Sequence, residues 1–79
     1  MNTKSAAAAI VASLASLTAA PTDSATIAAH VTTLNRVAKH LHASLRGRAL
    51  AHATMCSEHV ESIPERVGAW LTFWENAAR

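Results

Sequence analysis

The sequence predicts an all-α protein, and three observations support that prediction. Alanine is abundant, and alanine and leucine lose little side-chain freedom in a helix. Residues that break helices are rare, namely two glycines, Gly47 and Gly68, and two prolines, Pro21 and Pro64. Apolar residues recur at spacings of three and four, which is the helical period. We therefore expect a small helical bundle that forms a single domain over residues 1–79.

The first helix is predicted at about residues 3–19. Asn2 or Thr3 is suited to cap its start. Its apolar stripe consists of Ala7, Ile10, Leu14 and Leu17. Residues 1–20 have an alternative interpretation as a secretory signal, because a lysine precedes an apolar run that ends in small residues. A signal peptide would imply an exported protein, whereas an ordinary first helix implies a cytoplasmic protein. The apolar run is too short and too serine-rich to span a membrane.

A long central helix is predicted over residues 23–61. Pro21 ends the helix before it, and Asp23 is suited to cap the new one. The apolar seam of its first half follows steps of four and three through Ile27, Val31, Leu34, Ala38, Leu41 and Leu45. It resumes one residue late, through Ala49, His52, Cys56, Val60 and Ile63.

The shift in the seam lies around Gly47 and leaves two alternatives. A continuous helix tolerates the glycine and is about 57 Å long, so other helices or a second chain must cover its seam. In the alternative, Gly47 breaks the run and the bundle has four helices. We expect continuity, because no residue suited to capping follows Gly47 before Leu50.

The last helix is predicted over residues 63–77. Ser62 and Glu65 have the spacing of a capping box, and Pro64 fits the first turn. The apolar face of this helix consists of Val67, Trp70, Leu71 and Trp74, with Phe73 at its edge. We expect one or two of the three aromatic rings in the core and at least one at an interface with a partner.

The small size of the chain argues for an additional source of stability. A domain of 79 residues has a thin core, and small domains often add disulfides, metals or oligomerisation. The single cysteine, Cys56, excludes a disulfide within the chain. The remaining sources are a partner chain, a metal or unusually good helix packing, and we expect a homodimer.

Charge is distributed unevenly along the chain. Up to residue 56 the sequence has one acid, Asp23, and five basic residues: Lys4, Arg36, Lys39, Arg46 and Arg48. The remainder carries four glutamates against Arg66 and Arg79. This asymmetry is suited to self-association or to a basic surface for an acidic partner. A nucleic-acid surface at Arg36, Lys39, Arg46 and Arg48 is a further alternative, but no aromatic residues alternate with these charges.

His52, Cys56 and His59 are the candidate metal ligands. Their spacings of four and three place them on one side of a helix, and imidazole and thiolate are preferred ligands of zinc and copper. The His52 and Cys56 pair resembles the helix-borne ligand pair of copper-sensing repressors, which are small helical oligomers. That resemblance covers these two positions only. The other interpretation is that both residues belong to the core and that the protein has no cofactor.

Enzymatic chemistry has little support in the sequence. There is no glycine-rich phosphate loop, and Cys56 lies on the apolar stripe, where a thiol tends to be inert. The leading hypothesis is a non-enzymatic protein–protein interaction module: a small accessory, regulatory or inhibitor protein, of a kind phages also encode, that dimerises and binds a larger protein. Its candidate contacts are Trp70, Phe73, Trp74, Arg46 and Arg48. Metal binding and nucleic-acid binding are the alternatives.

Overall fold

The computed structural model describes all residues from 1 to 79 and contains four helices and no strands. The helices are α1 (Thr3–Ala19), α2 (Ser24–Val37), α3 (Ala43–Glu58) and α4 (Ile63–Ala77). Single 3-10 turns at Ala38–His40 and Val60–Ser62 precede α3 and α4. The predicted all-α class is confirmed. No helix combines the length and the apolar character needed to cross a membrane.

Helix α1 has the predicted bounds and cap. The Asn2 side chain accepts a hydrogen bond from the Ser5 backbone N–H at 2.8 Å. The chain leaves the helix just before Pro21, and Asp23 then caps α2 by accepting from the Thr26 N–H at 2.9 Å. Local capping signals of this kind satisfy backbone groups that the first turn of a helix leaves free. The sequence therefore located both helix starts correctly.

The continuous central helix is wrong. The alternative of four helices is confirmed in number, but the break does not lie at Gly47. The chain turns at residues 38–42, where Leu41 and His42 have extended backbone with ψ of 153° and 155°. Gly47 lies inside α3 with an ordinary negative φ. Because of this turn, both halves of the apolar seam face one core in a bundle that is 30 Å long. A straight helix would have left one half of the seam exposed.

Side chains from elsewhere stabilise this turn. The Arg46 guanidinium donates to the backbone carbonyls of Ala38 at 3.3 Å and Leu41 at 3.1 Å. The Thr3 hydroxyl of α1 donates to the His40 carbonyl at 3.2 Å. The three carbonyls lie just beyond the last residue of α2, and that of Ala38 also accepts from the Leu41 N–H, so these bonds stabilise the turn itself. No glycine or proline marks the turn, so the usual sequence signals of a helix end are missing.

The start of α4 is where the sequence predicted it, but the predicted capping box does not form. Ser62 has helical backbone angles and makes no cap hydrogen bond. Its hydroxyl donates instead to the His59 carbonyl at 2.8 Å, across the preceding 3-10 turn. Pro64 occupies the first turn of α4, as expected. The 3-10 turn displaced the cap because it already holds Ser62 in a helical conformation.

Short connections make neighbouring helices antiparallel. Helix α1 packs between α2 and α4, and α2 packs against α3. Helix α3 meets α4 mainly through large rings, since the His52 imidazole stacks on the Trp70 indole with centroids 4.8 Å apart. The starts of α1 and α3 and the ends of α2 and α4 therefore lie at one end of the bundle.

All four helices contribute to one core. The α1 stripe is entirely buried, as predicted. On α2 the buried face consists of Ile27, His30, Leu34 and Val37, while the predicted Val31 is only half-buried. The second half of the seam is buried at Ala49, His52, Cys56 and Ile63, but Val60 is 40% exposed.

Candidate functional site

The bundle separates its charges along its long axis. One end, here called the basic end, carries six of the seven lysine and arginine residues: Lys4, Arg36, Lys39, Arg46, Arg48 and Arg79. His40 and His42 lie at the same end, and Glu75 is its one acidic residue. The opposite end carries the other four acids, Asp23, Glu58, Glu61 and Glu65, together with Arg66.

No lysine or arginine of the basic end forms a salt bridge within the protein, although Glu75 and Arg79 line one groove. The one contact at salt-bridge distance joins His59 Nδ1 to Glu61 Oε1 at 3.7 Å, at the opposite end, and it is an ion pair only when His59 is protonated. All six lysine and arginine residues of the basic end are exposed. Their charge is therefore available to a ligand.

Two arginines of the basic end are held in place by neutral groups. Arg46 is tied to the Ala38 and Leu41 carbonyls, and the Arg48 guanidinium carbon lies 4.6 Å from the centre of the Phe73 ring. The second contact is a cation–π interaction, which is attractive and keeps the charge at the surface. Both predicted partner-binding arginines thus belong to the basic end, as do the predicted nucleic-acid residues Arg36 and Lys39.

Most of the aromatic side chains that were predicted to contact a partner are buried in the core. Trp74 has no exposed surface, and Trp70 is 7% exposed. Phe73 is half-buried, packed edge-on against Trp74 with centroids 5.1 Å apart. Neither indole is available to a partner in this conformation, so Phe73 is the ring that can still contribute to a surface.

The predicted metal ligands do not converge on one point. No group of three or more histidine, cysteine or acidic side chains is arranged to hold one ion. His52 Nδ1 accepts a hydrogen bond from the Trp74 indole N–H at 3.1 Å, and His59 lies beyond the end of α3. Burial raises the pKa of the Cys56 thiol to about 11, which disfavours the thiolate that a metal requires. Metal binding by this set therefore has no geometric support.

His30 is the residue that sequence reasoning missed. It is 1% exposed, its Nδ1 lies 2.6 Å from the Ser13 hydroxyl of α1, and its Nε2 has no hydrogen-bond partner. Burial lowers its pKa to about 4, so it is neutral at pH 7. Its spacing of three from Ile27 and four from Leu34 places it on the inner face of α2, and that signal was available in the sequence.

An apolar surface runs along α2 and α3. Open grooves of about 530 Å³ and 370 Å³ follow one another between these helices and share Val31 and Ser57. Glu58 is the only charged residue that lines either groove. We call this surface the α2–α3 face. Its apolar residues are Ile27, Ala28, Val31, Leu50, Ala53, Cys56 and Val60, and its polar residues are Thr22, Ser24, Thr32, Asn35, Thr54, Ser57 and Glu58.

Comparisons with known proteins add no relative to this description. No protein-family model, no curated protein and no solved structure matches the chain.

Proposed function

We propose that this protein is a non-enzymatic helical interaction module that forms a homodimer through the α2–α3 face. The observation that carries the proposal is the position of its exposed apolar side chains. Three large apolar residues are exposed, and two of them, Leu50 at 43% and Val60 at 40%, lie on this face. Burying them against a second copy removes apolar area from water, which is the main driving force of association.

The composition of the face supports a protein contact. Apart from Glu58 its side chains are uncharged, and charged residues are typically depleted at the centre of interfaces. Small residues such as Ala28, Ala53 and Ser57 let a second helix pair approach closely. Glu58 lies at the end of α3, where it can remain at the wet rim.

A dimer of standard interface size would cover a substantial part of the monomer. A standard interface buries about 800 Å² on each partner. The whole monomer exposes 4298 Å², so such an interface takes roughly a fifth of its surface, close to one side of a four-helix bundle. We expect a dimer of modest affinity that acts as a small accessory or regulatory protein for a larger protein.

A binding role, rather than catalysis, is supported by the state of the reactive groups. Burial lowers the pKa of His52, with Arg48 and His30 adding to the effect, so that it reaches about 4. His30 is equally neutral, no carboxylate orients either imidazole, and the Cys56 thiol is buried and protonated. A nucleophile activated by a base and a third orienting group is therefore absent from the core.

The test uses two threonines in matched settings. Thr54 on the α2–α3 face and Thr72 on α4 are both exposed, and each donates to the carbonyl four residues before it, at 3.1 Å and 3.2 Å. We expect Thr54→Glu to shift the mass measured by light scattering from a dimer toward the 8.3 kDa monomer, while Thr72→Glu remains a dimer. A wild-type protein that is monomeric at every concentration, or an equal effect of both substitutions, contradicts the proposal.

A further inference from the structure

We propose that the basic end binds the phosphate backbone of nucleic acid, without sequence specificity. This inference does not depend on the proposed dimer, because the basic end and the α2–α3 face are different surfaces. It rests on the six unpaired cations that the fold gathers there. Lys4 and Arg79 lie at the two termini of the sequence, far from the other four basic residues. The antiparallel packing of the helices places all six at the same end of the bundle.

Helix electrostatics do not account for the whole cluster. Arg36 lies in the last turn of α2 and Lys39 just beyond it, where cations favour the negative end of the helix dipole. Lys4 lies in the first turn of α1, and Arg46 and Arg48 lie in the first two turns of α3. A cation in the first turn, as at Lys4, faces the positive end of the dipole and is unfavourable, whereas Arg46 offsets this effect by donating to the Ala38 and Leu41 carbonyls. An anionic ligand offsets the unfavourable placement of Lys4.

The arginines of the cluster are partly ordered before any ligand binds. An arginine has five N–H donors. The carbonyl bonds of Arg46 use two of them, through Nε and Nη2, and leave three for a phosphate. Arg48 is held over the Phe73 ring. Because these side chains have already lost rotamer freedom, binding orders them at lower entropic cost.

The size of the basic end favours a polyanion over an acidic protein. The bundle measures 20 by 17 Å across its long axis, so a flat partner covers about 340 Å². That is less than half of the roughly 800 Å² per partner that a stable protein interface buries. Nucleic acid needs no such area, because its affinity comes largely from counterions released at each phosphate contact.

The side chains of the basic end account for the expected lack of sequence specificity. Specific recognition needs side chains that reach base edges or rings on which bases stack. Phe73, the aromatic ring nearest the cluster, is half-buried and covered by Arg48, and both tryptophans are in the core. No aromatic ring is therefore free for base stacking, and we expect the lysines and arginines to contact mainly phosphates, which carry no sequence information.

The experiment measures binding to a fluorescein-labelled duplex of 20 base pairs by anisotropy, over a series of salt concentrations. We expect micromolar affinity at 50 mM salt and a steep loss at 200 mM, with each phosphate contact adding about −0.9 to the slope of log K against log salt. The variant with Lys4→Gln, Arg36→Gln and Lys39→Gln should make that slope shallower by about 2–3. None of these three side chains is seen to hold a structural contact, and circular dichroism should show unchanged folding.

The matched control compares single substitutions of two exposed arginines, Arg36 and Arg66. Arg36→Gln at the basic end should weaken binding by about three- to tenfold, whereas Arg66→Gln at the acidic end removes the same charge and should change it less than twofold. Equal effects of these two substitutions, or no binding of duplex or single-stranded DNA at 50 mM salt, overturn the inference. Polyglutamate that competes as well as DNA of equal charge would show a preference for acidic protein and likewise overturn it.

Discussion

Helices α1 and α3 have nearly the same length, 17 and 16 residues, but contribute to the core in opposite ways. Helix α1 has a side-chain cap at Asn2, and its buried residues are all apolar. Helix α3 starts at His42 without a cap hydrogen bond, contains Gly47, and buries two alanines, a histidine and a cysteine. Helix α3 therefore has less apolar area and weaker local support, and we expect it to be the first helix to open.

The difference has a functional consequence. The two surfaces proposed for binding, the α2–α3 face and the basic end, both include α3. In contrast, α1 packs against two helices and supplies five of the most deeply buried residues. The comparison indicates that α1 is the scaffold of the bundle, while α3 buries less apolar area and contributes to both surfaces proposed for binding.

The largest expected effect tests the scaffold role of α1. Leu14→Ala removes a fully buried side chain and leaves a cavity, so it should lower the free energy of unfolding by about 3 kcal/mol. Cys56→Ala on α3 removes one buried atom and should lower it by about 1 kcal/mol. Urea unfolding measures both values. A cost for Cys56→Ala equal to that of Leu14→Ala would show that the two helices carry the core equally.

A second prediction tests the two histidines buried in the core, His30 on α2 and His52 on α3. His30 and His52 have pKa values of about 4 in the folded protein, against 6.5 for an unperturbed histidine. The unfolded chain binds protons below pH 6.5 and the folded protein does not, so stability is full above 6.5 and falls as the pH drops toward 4. Between pH 7 and pH 5 each histidine should reduce the free energy of unfolding by about 1–2 kcal/mol.

Urea unfolding at a series of pH values measures that loss. The His52→Gln variant should lose less stability between pH 7 and pH 5 than the wild type, whatever its stability at pH 7. His42→Gln makes the same substitution at an exposed histidine and controls for the exchange of histidine for glutamine. A wild-type free energy of unfolding that stays constant down to pH 5 would contradict the neutral polar core.

The smallest expected effect tests the local weakness of α3. A side-chain carbon added at Gly47 meets nothing within 4 Å, and the residue has helical backbone. Gly47→Ala should therefore raise the free energy of unfolding by about 0.5–1 kcal/mol. Hydrogen exchange should slow in α3 more than in α1. Gly68→Ala, which is equally unobstructed in α4, should stabilise the protein similarly without this preference for α3.

Much of the fold could be predicted because its signals are local. The Asn2 and Asp23 caps, the break at Pro21 and the α1 stripe each depend on residues within a few positions of one another. The turn at residues 38–42 could not be found in that way. It depends on Arg46 and on Thr3, which lies 37 residues from the carbonyl to which its hydroxyl donates. Leu41 fits the helical seam and the buried turn equally well.

The candidate sites show the same division between local features, which the sequence predicts, and long-range features, which it does not. The sequence by itself determined the helical class, most of the buried stripe and the inventory of charges, because periodicity and composition do not depend on distant contacts. Only the tertiary structure decided that the basic residues of α1, α2 and α3 meet at one end, that both tryptophans are buried, and that His30 pairs with Ser13. The physical reason is that helix direction and packing, which place distant residues side by side, follow from burial of the whole core.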